Sequence, residues 1–260
     1  MGKENYEIQD LLEIMQQLRA ECPWDRQQTH SSIRKNLIEE AYEVAEAIDV
    51  DDQTLLLEEL GDLLLQVVFH AQIEKERETF SFGDVVDGIC KKLIRRHPHI
   101  FGEVSAGTAA QVLENWDEIK KTEKGLDTLA ASLGSVPGTL PGLMRTQKVQ
   151  ERAAKAGFGF AKAETALAEL NNEVLELEDA IRSGDRDEIE DEIGDVIFSA
   201  VGVAHMTGVY AEEAITRSTN KFLKRFGTFE AIAAERGIDI QNSESKTLTR
   251  LWREAKKAGN

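Results

Sequence analysis

Residues 36–72 read NLIEEAYEVAEAIDVDDQTLLLEELGDLLLQVVFHAQ, and residues 169–205 read ELNNEVLELEDAIRSGDRDEIEDEIGDVIFSAVGVAH. A shift of 133 residues lays one on the other without a gap, with 11 of 37 positions identical. Shared packing alone would retain apolar positions. Here charged positions are retained as well: Glu40 falls on Glu173, Glu43 on Glu176, Glu59 on Glu192 and Asp62 on Asp195, with Gly61 on Gly194. Two copies of one site-bearing unit account for that selection.

Each copy reads as a helical hairpin. Leu37, Ala41, Val44, Ala45 and Ile48 keep to one face of a helix, and Leu55 to Ile73 is apolar almost all round. In an antiparallel hairpin, residues equidistant from the turn face each other. Glu43 with Glu59 and Glu40 with Asp62 both centre on position 51. Glu176 with Glu192 and Glu173 with Asp195 both centre on Gly184, within Arg-Ser-Gly-Asp. Four acids are therefore expected to meet in each hairpin. Glu59, Asp62 and Gln66 form a narrow polar line on an apolar helix, and Glu192, Asp195 and Ser199 repeat it. An all-round apolar helix is normally buried. Buried carboxylates without compensation neutralise or cost several kcal/mol. Facing acids with no Cys or His among them ask for a hard cation, Mg²⁺ or Mn²⁺, rather than zinc. A di-iron bundle would need an ExxH pair, which neither ELGD nor EIGD supplies.

The rest of the chain sets the frame. Its 260 residues make one large domain or two small ones. Lys and Arg total 31 against 48 Asp and Glu, a net charge of −17. Such a chain repels polyphosphate backbones and anionic membranes, so no nucleic-acid polymer or membrane partner is expected. A small phosphorylated substrate stays compatible when a metal bridges the like charges. Cys22 and Cys90 make no disulfide framework, the opening MGKENYEIQD has no signal-peptide core, and no apolar stretch reaches membrane-spanning length. The expected setting is soluble and cytoplasmic. Strand signals are nearly absent. The expected fold is all-α, a tandem repeat of a helical-hairpin or four-helix-bundle unit. The first repeat spans 1–124, a Gly/Pro-containing linker 125–142, and the second repeat 143–260.

The correspondence extends past the hairpins. With a small gap, Lys92 and Arg96 fall on Lys221 and Arg225, and Trp116 and Lys120 fall on Trp252 and Lys256. His97 and His99 flank Pro98 and read as a structural turn. CPWD at Cys22–Asp25 reads as a loop packing Trp24. His70 and His205 lie near the ends of apolar helices and read as core residues. One position breaks the symmetry: Glu39 precedes Glu40, whereas Asn172 precedes Glu173. A carboxylate there can accept a proton from water; an amide can only orient it.

These patterns carry a resemblance. EExxE at Glu39, Glu40 and Glu43, ExxD at Glu59 and Asp62, and NExxE with ExxD in the second half look like the MazG family. CPWD and RRHPHIF at Arg95–Phe101 resemble the amino-terminal half of its two-repeat bacterial members. The resemblance covers nearly the whole chain. It implies an all-α, Mg²⁺-dependent enzyme, assembled as a homodimer, that splits NTPs and dNTPs into monophosphate and pyrophosphate. By that likeness Glu173, Glu176, Glu192 and Asp195 form the primary catalytic metal site, since similar two-repeat proteins rely mostly on the carboxy-terminal half. Glu40, Glu43, Glu59 and Asp62 form the other metal site. Lys221 and Arg225 suit triphosphate oxygens, and Trp252 with Lys256 suits a base and a phosphate. With no base-reading motif beside a stacking ring, broad base tolerance is expected. The rival expectations are a phosphoribosyl-ATP pyrophosphohydrolase, which the tandem repeat disfavours, and a non-catalytic nucleotide- or metal-binding scaffold.

Overall fold

The computed structural model describes residues 4–102, 107, 108, 111, 112, 116, 119 and 128–258. Among the described residues every regular element is a helix. The chain divides into two compact units, Met1–Glu123 and Lys124–Asn260.

The first unit holds α1 (Ile8–Glu21), α2 (Pro23–Gln27), α3 (His30–Asp49), α4 (Gln53–Glu76), α5 (Phe82–Arg96) and α6 (Pro98–Phe101). The expected hairpin is α3 and α4. Local chemistry sets its ends. The Thr29 hydroxyl accepts from the Ser32 amide while the Ser32 hydroxyl accepts from the Thr29 amide, starting α3. The Asp52 carboxylate accepts from the amides of Thr54 and Leu55, starting α4. Between them Asp51 turns the chain at φ 56. Met15, Ile33, Val68, Phe69 and Ile73 form the buried core where α1 meets the hairpin. Arg19 of α1 fastens the CPWD segment to it. Its Nη1 donates to the carbonyls of Asp25 (2.6 Å) and Gln28 (2.9 Å), its other nitrogens pair with Glu76, and its guanidinium lies 5.6 Å over the Phe69 ring. Trp24 itself is largely exposed, contrary to the packed-loop expectation: the segment is held through its backbone by Arg19, and the indole is not needed to anchor it.

The second unit holds α7 (Leu129–Gly134), α8 (Gly142–Lys155), α9 (Ala163–Ser183), α10 (Arg186–Met206), α11 (Ala211–Glu235) and α12 (Ser245–Ala258). Its hairpin is α9 and α10. Gly184 closes α9 at φ 76. The 133-residue shift maps Asp51 onto Gly184, so both hairpins turn through a left-handed residue at the same place. Glycine adopts that conformation without steric cost, and aspartate is one of the few others that tolerate it. Buried Gln147 of α8 accepts from the Ala211 amide at 2.8 Å and donates to the Val209 carbonyl, tying down the start of α11. Phe229, Ala233, Leu251 and Ala255 form the core between α11 and α12. From residue 128 onward the Gly/Pro-containing stretch is an ordered crossover: it contains α7 and buries Val136, and Arg152 of α8 bonds the Ser132 carbonyl and, at 2.8 Å, the Ser135 hydroxyl.

Each hairpin leaves apolar side chains uncovered, and on its second helix they form a stripe. On α4 it runs Leu57, Leu60, Leu64, Val67; on α10 the matching positions Ile193 and Ile197 are exposed together with Phe198. Among the described residues no single helix is long and apolar enough to cross a membrane.

Candidate metal centres and nucleotide pocket

The hairpin register brings the carboxylates together. One oxygen each from Glu40 and Glu43 of α3 and Glu59 of α4 lie within 4.8 Å of one another. In the second unit the group is Glu173 of α9 with Glu192 and Asp195 of α10, so two of its three positions match the first group and Asp195 takes the place of the Glu43 counterpart. Four acids were expected in each group and three meet this closely. Asp62 and Glu176 stand outside it, yet near enough that their charges act on its members.

The electrostatics are those of crowded anions. Loss of solvent, then a hydrogen bond to Glu43 and the charges of Asp62, Glu43 and Glu59, raise the Glu40 carboxyl above its ordinary pKa. Glu59 is raised by burial and then by Glu43. Glu173 is raised by burial and then by Asp195 and Glu176; Glu192 by burial and then by Glu176 and Asp195. The Glu192 Oε2 is buried without a hydrogen-bond partner. A buried, unpartnered carboxylate oxygen among like charges fits one occupant well: a hard divalent cation, for which an all-oxygen donor set is suited.

The raised values have a consequence for stability. Between the unfolded value of 4.5 and the higher folded values, the native state binds more protons than the unfolded chain, so stability falls as pH rises through that window. Glu74, held down at about 2, contributes with the opposite sign and at lower pH. In chelator, thermal melts should therefore show Glu40→Gln/Glu173→Gln gaining on the parent as pH rises from about 4.5 to 7. A double variant that is less stable at every pH in that range contradicts the crowding.

The predicted substrate cations also converge. Lys221 and Arg225 of α11 and Trp252 and Lys256 of α12 line one cavity of about 340 Å³, with Ser218 and Phe222 completing the wall. Phe222 and Trp252 lie 5.3 Å apart, ring to ring, and the Lys256 ammonium is 5.9 Å over the indole. Ser218 and Phe222 are not among the expected site residues, although Ser218 lies one turn before Lys221 and Phe222 one turn before Arg225. In the first unit the Arg96 guanidinium lies 5.8 Å over Trp116, and His97 meets the same ring edge-on at 5.0 Å. Lys120 lies outside the described residues. The His97 Nδ1 bonds the Leu93 carbonyl at 2.6 Å where α5 ends, which fits the structural turn expected of it. Asn172 donates to Glu169 Oε2 at 3.2 Å.

Comparison with known proteins falls on these same elements. The MazG nucleotide pyrophosphohydrolase domain matches twice, at residues 28–101 and 161–228. Each match contains one hairpin, its carboxylates and most or all of the helix that follows. The chain belongs to the MazG family. This MazG chain is similar to the nucleoside triphosphate pyrophosphohydrolase of Escherichia coli K12, 38% identical over 256 residues, covering 96% of this chain and 97% of that protein. It is equally similar to the nucleoside triphosphate pyrophosphohydrolase/pyrophosphatase MazG of Thermotoga maritima, 38% identical over 251 residues and 95% of that protein. The nucleoside triphosphate pyrophosphohydrolase of Mycobacterium tuberculosis is 39% identical over 151 residues, 57% of this chain and 45% of that protein. The MazG assignment excludes neither unit, since both matches keep their acids.

Proposed function

We propose that this MazG protein is a Mg²⁺-dependent nucleoside triphosphate pyrophosphohydrolase of broad base tolerance. The observation that carries the reading is the recurrence of one carboxylate group in both hairpins, together with a cationic, aromatic cavity in the second unit. Glu173, Glu192 and Asp195, with Glu176 beside them, would hold the cation of the primary site; Glu40, Glu43 and Glu59, with Asp62, would hold that of the other. When bound, Mg²⁺ supplies neutralisation of the triphosphate charge and acidification of water. Lys221, Arg225 and Lys256 bind phosphate oxygens by charge-assisted hydrogen bonds. Trp252 offers a face on which any base can stack, which is why base identity matters little. Water adds to phosphorus, the P–O bond bridging the α- and β-phosphates breaks, and the proton of the attacking water goes to a carboxylate. In the first unit that acceptor is Glu39. In the second, Asn172 orients the water and Glu169, which its amide already contacts, takes the proton.

The test is pyrophosphate release from a panel of NTPs and dNTPs with and without Mg²⁺. Release from most of the panel, only with the metal, is expected. No release from any member would return the reading to a nucleotide-binding scaffold.

The uncovered stripes on α4 and α10 support a homodimer, in which a second copy supplies the missing helix faces. Light scattering at micromolar concentration should give twice 29.0 kDa. A fully active species of single-chain mass would contradict this.

A further inference from the structure

A run of polar side chains in the first unit has no counterpart in the second. The His30 and His70 Nδ1 atoms are 2.6 Å apart, with rings 6° from parallel and centroids at 4.9 Å. The other nitrogen of His30, Nε2, lies 2.6 Å from Glu74 Oε1. The His70 Nε2 is buried with no partner. One turn back on α4, Gln66 is buried; its Nε2 reaches Glu40 Oε1 at a long 3.5 Å and its Oε1 is also buried without a partner. Residues four apart on a helix are neighbours, so two orphaned atoms sit on adjacent turns. One hydrogen bond, donated by His70 Nε2 to Gln66 Oε1 after a rotamer change, satisfies both, and it needs a proton on Nε2. At the matching positions the second unit has Ala163, Ser199, Val203 and Thr207 in place of His30, Gln66, His70 and Glu74.

The proton positions follow from Glu74. Its carboxylate accepts from the Thr79 hydroxyl, from His30 and from Arg77 Nη1 at 2.9 Å, which keep it ionised down to about pH 2. An ionised carboxylate only accepts, so His30 Nε2 must carry a proton. In the neutral pair His30 Nδ1 is then bare, His70 Nδ1 carries the shared proton, and His70 Nε2 is an acceptor. One added proton reverses the central bond: His30 Nδ1 donates, and His70 Nε2 becomes a donor. Charged groups on α4 and on the helices that pack against it have partners of their own. Arg19 of α1 pairs with Glu76, Lys75 with Gln16 of α1, and Asp84 of α5 caps its own helix.

We propose that Gln66 and His70 are positioning residues for Glu40, and that the His30–Glu74 pair lets a single imidazole proton decide whether they hold it. With the proton present, His70 donates toward Gln66 Oε1, which turns the amide nitrogen to Glu40. Without it, His70 Nε2 and Gln66 Oε1 are facing acceptors and the amide is released. The first carboxylate site then answers to imidazole protonation, with His70 held below the ordinary imidazole value by burial and then by His30, while the matching positions of the second unit carry no histidine. This rests on reading Glu40 as part of the cation and triphosphate site.

The test is histidine ring NMR on the full chain, free of metal and nucleotide, so its failure is separate from any failure of hydrolysis. His30 and His70 signals are assigned by His30→Asn and His70→Asn. At about pH 8, above the usual imidazole range, His30 should be protonated at Nε2 and His70 at Nδ1. Glu40→Gln should lower the midpoint of the pair by about 0.3 pH unit or more. In a Gln66→Met background that shift should vanish; where this variant does not fold, Gln66→Ser takes its place. The opposite tautomers, no shift, or a shift that persists without Gln66 would each overturn the proposal, the last by showing an action through space.

Discussion

Glutamine at both Glu59 and Glu192 should lower triphosphate turnover at least ~10³-fold, the scale on which loss of transition-state charge stabilisation acts, with the helical circular dichroism unchanged. Both side chains sit in the three-oxygen groups, and both are pushed toward the neutral form by burial and neighbouring acids. An amide keeps their shape, removes a charge that cation binding needs, and relieves repulsion in the cation-free state. The fold is therefore spared while the chemistry is lost. The single variants divide the work. Glu192→Gln alone should remove most activity and Glu59→Gln little, because among the described residues the Lys–Arg–Trp–Lys cavity lies in the second unit. The reverse pattern would make Glu39 the decisive proton acceptor and Asn172 the mark of a weakened copy. Full activity in the double variant would remove the carboxylates from the mechanism.

Leu251→Ala should cost about 2–5 kcal/mol in the stability of the second unit, the range for emptying a fully buried leucine site. Leu251 has no exposed surface and packs with Phe229, Ala233 and Ala255 where α11 crosses α12. Small neighbours on both helices leave little that can collapse into the space. Its chain neighbour Trp252 forms a wall of the cavity lined by Lys221, Arg225 and Lys256, so α12 should also lose its hold on the indole. Differential scanning calorimetry should show the transition of the second unit falling while that of the first unit stays, and KM should rise more than kcat falls. A loss under ~1 kcal/mol would mean that α12 is held by something other than this core.

The hairpins were legible because two independent signals agree in the sequence. The acids are symmetric about positions 51 and 184, and those positions are an aspartate and a glycine, residues that accept left-handed backbone. The two halves of the cavity wall were legible from the repeat, since Lys92 with Arg96 and Trp116 with Lys120 recur as Lys221 with Arg225 and Trp252 with Lys256, each pair on one helix face. The meeting of those two faces was not, since helix crossing depends on apolar contacts such as Leu251 with Phe229, which have no signature in spacing. The division of four acids into three close and one apart also lay beyond reach, because side-chain reach across a hairpin is decided by rotamers. His70 shows a sharper limit. Near the end of an apolar helix it reads as core, and only the fold brings His30 beside it from forty residues away.

In the proposed reaction the bond that breaks is the α–β bridge. Phosphorus NMR of a nucleoside triphosphate incubated with the full chain and Mg²⁺ tests it directly. Monophosphate and pyrophosphate are expected in equal amounts, with neither formed by Glu59→Gln/Glu192→Gln. Diphosphate and orthophosphate as the main products would contradict it.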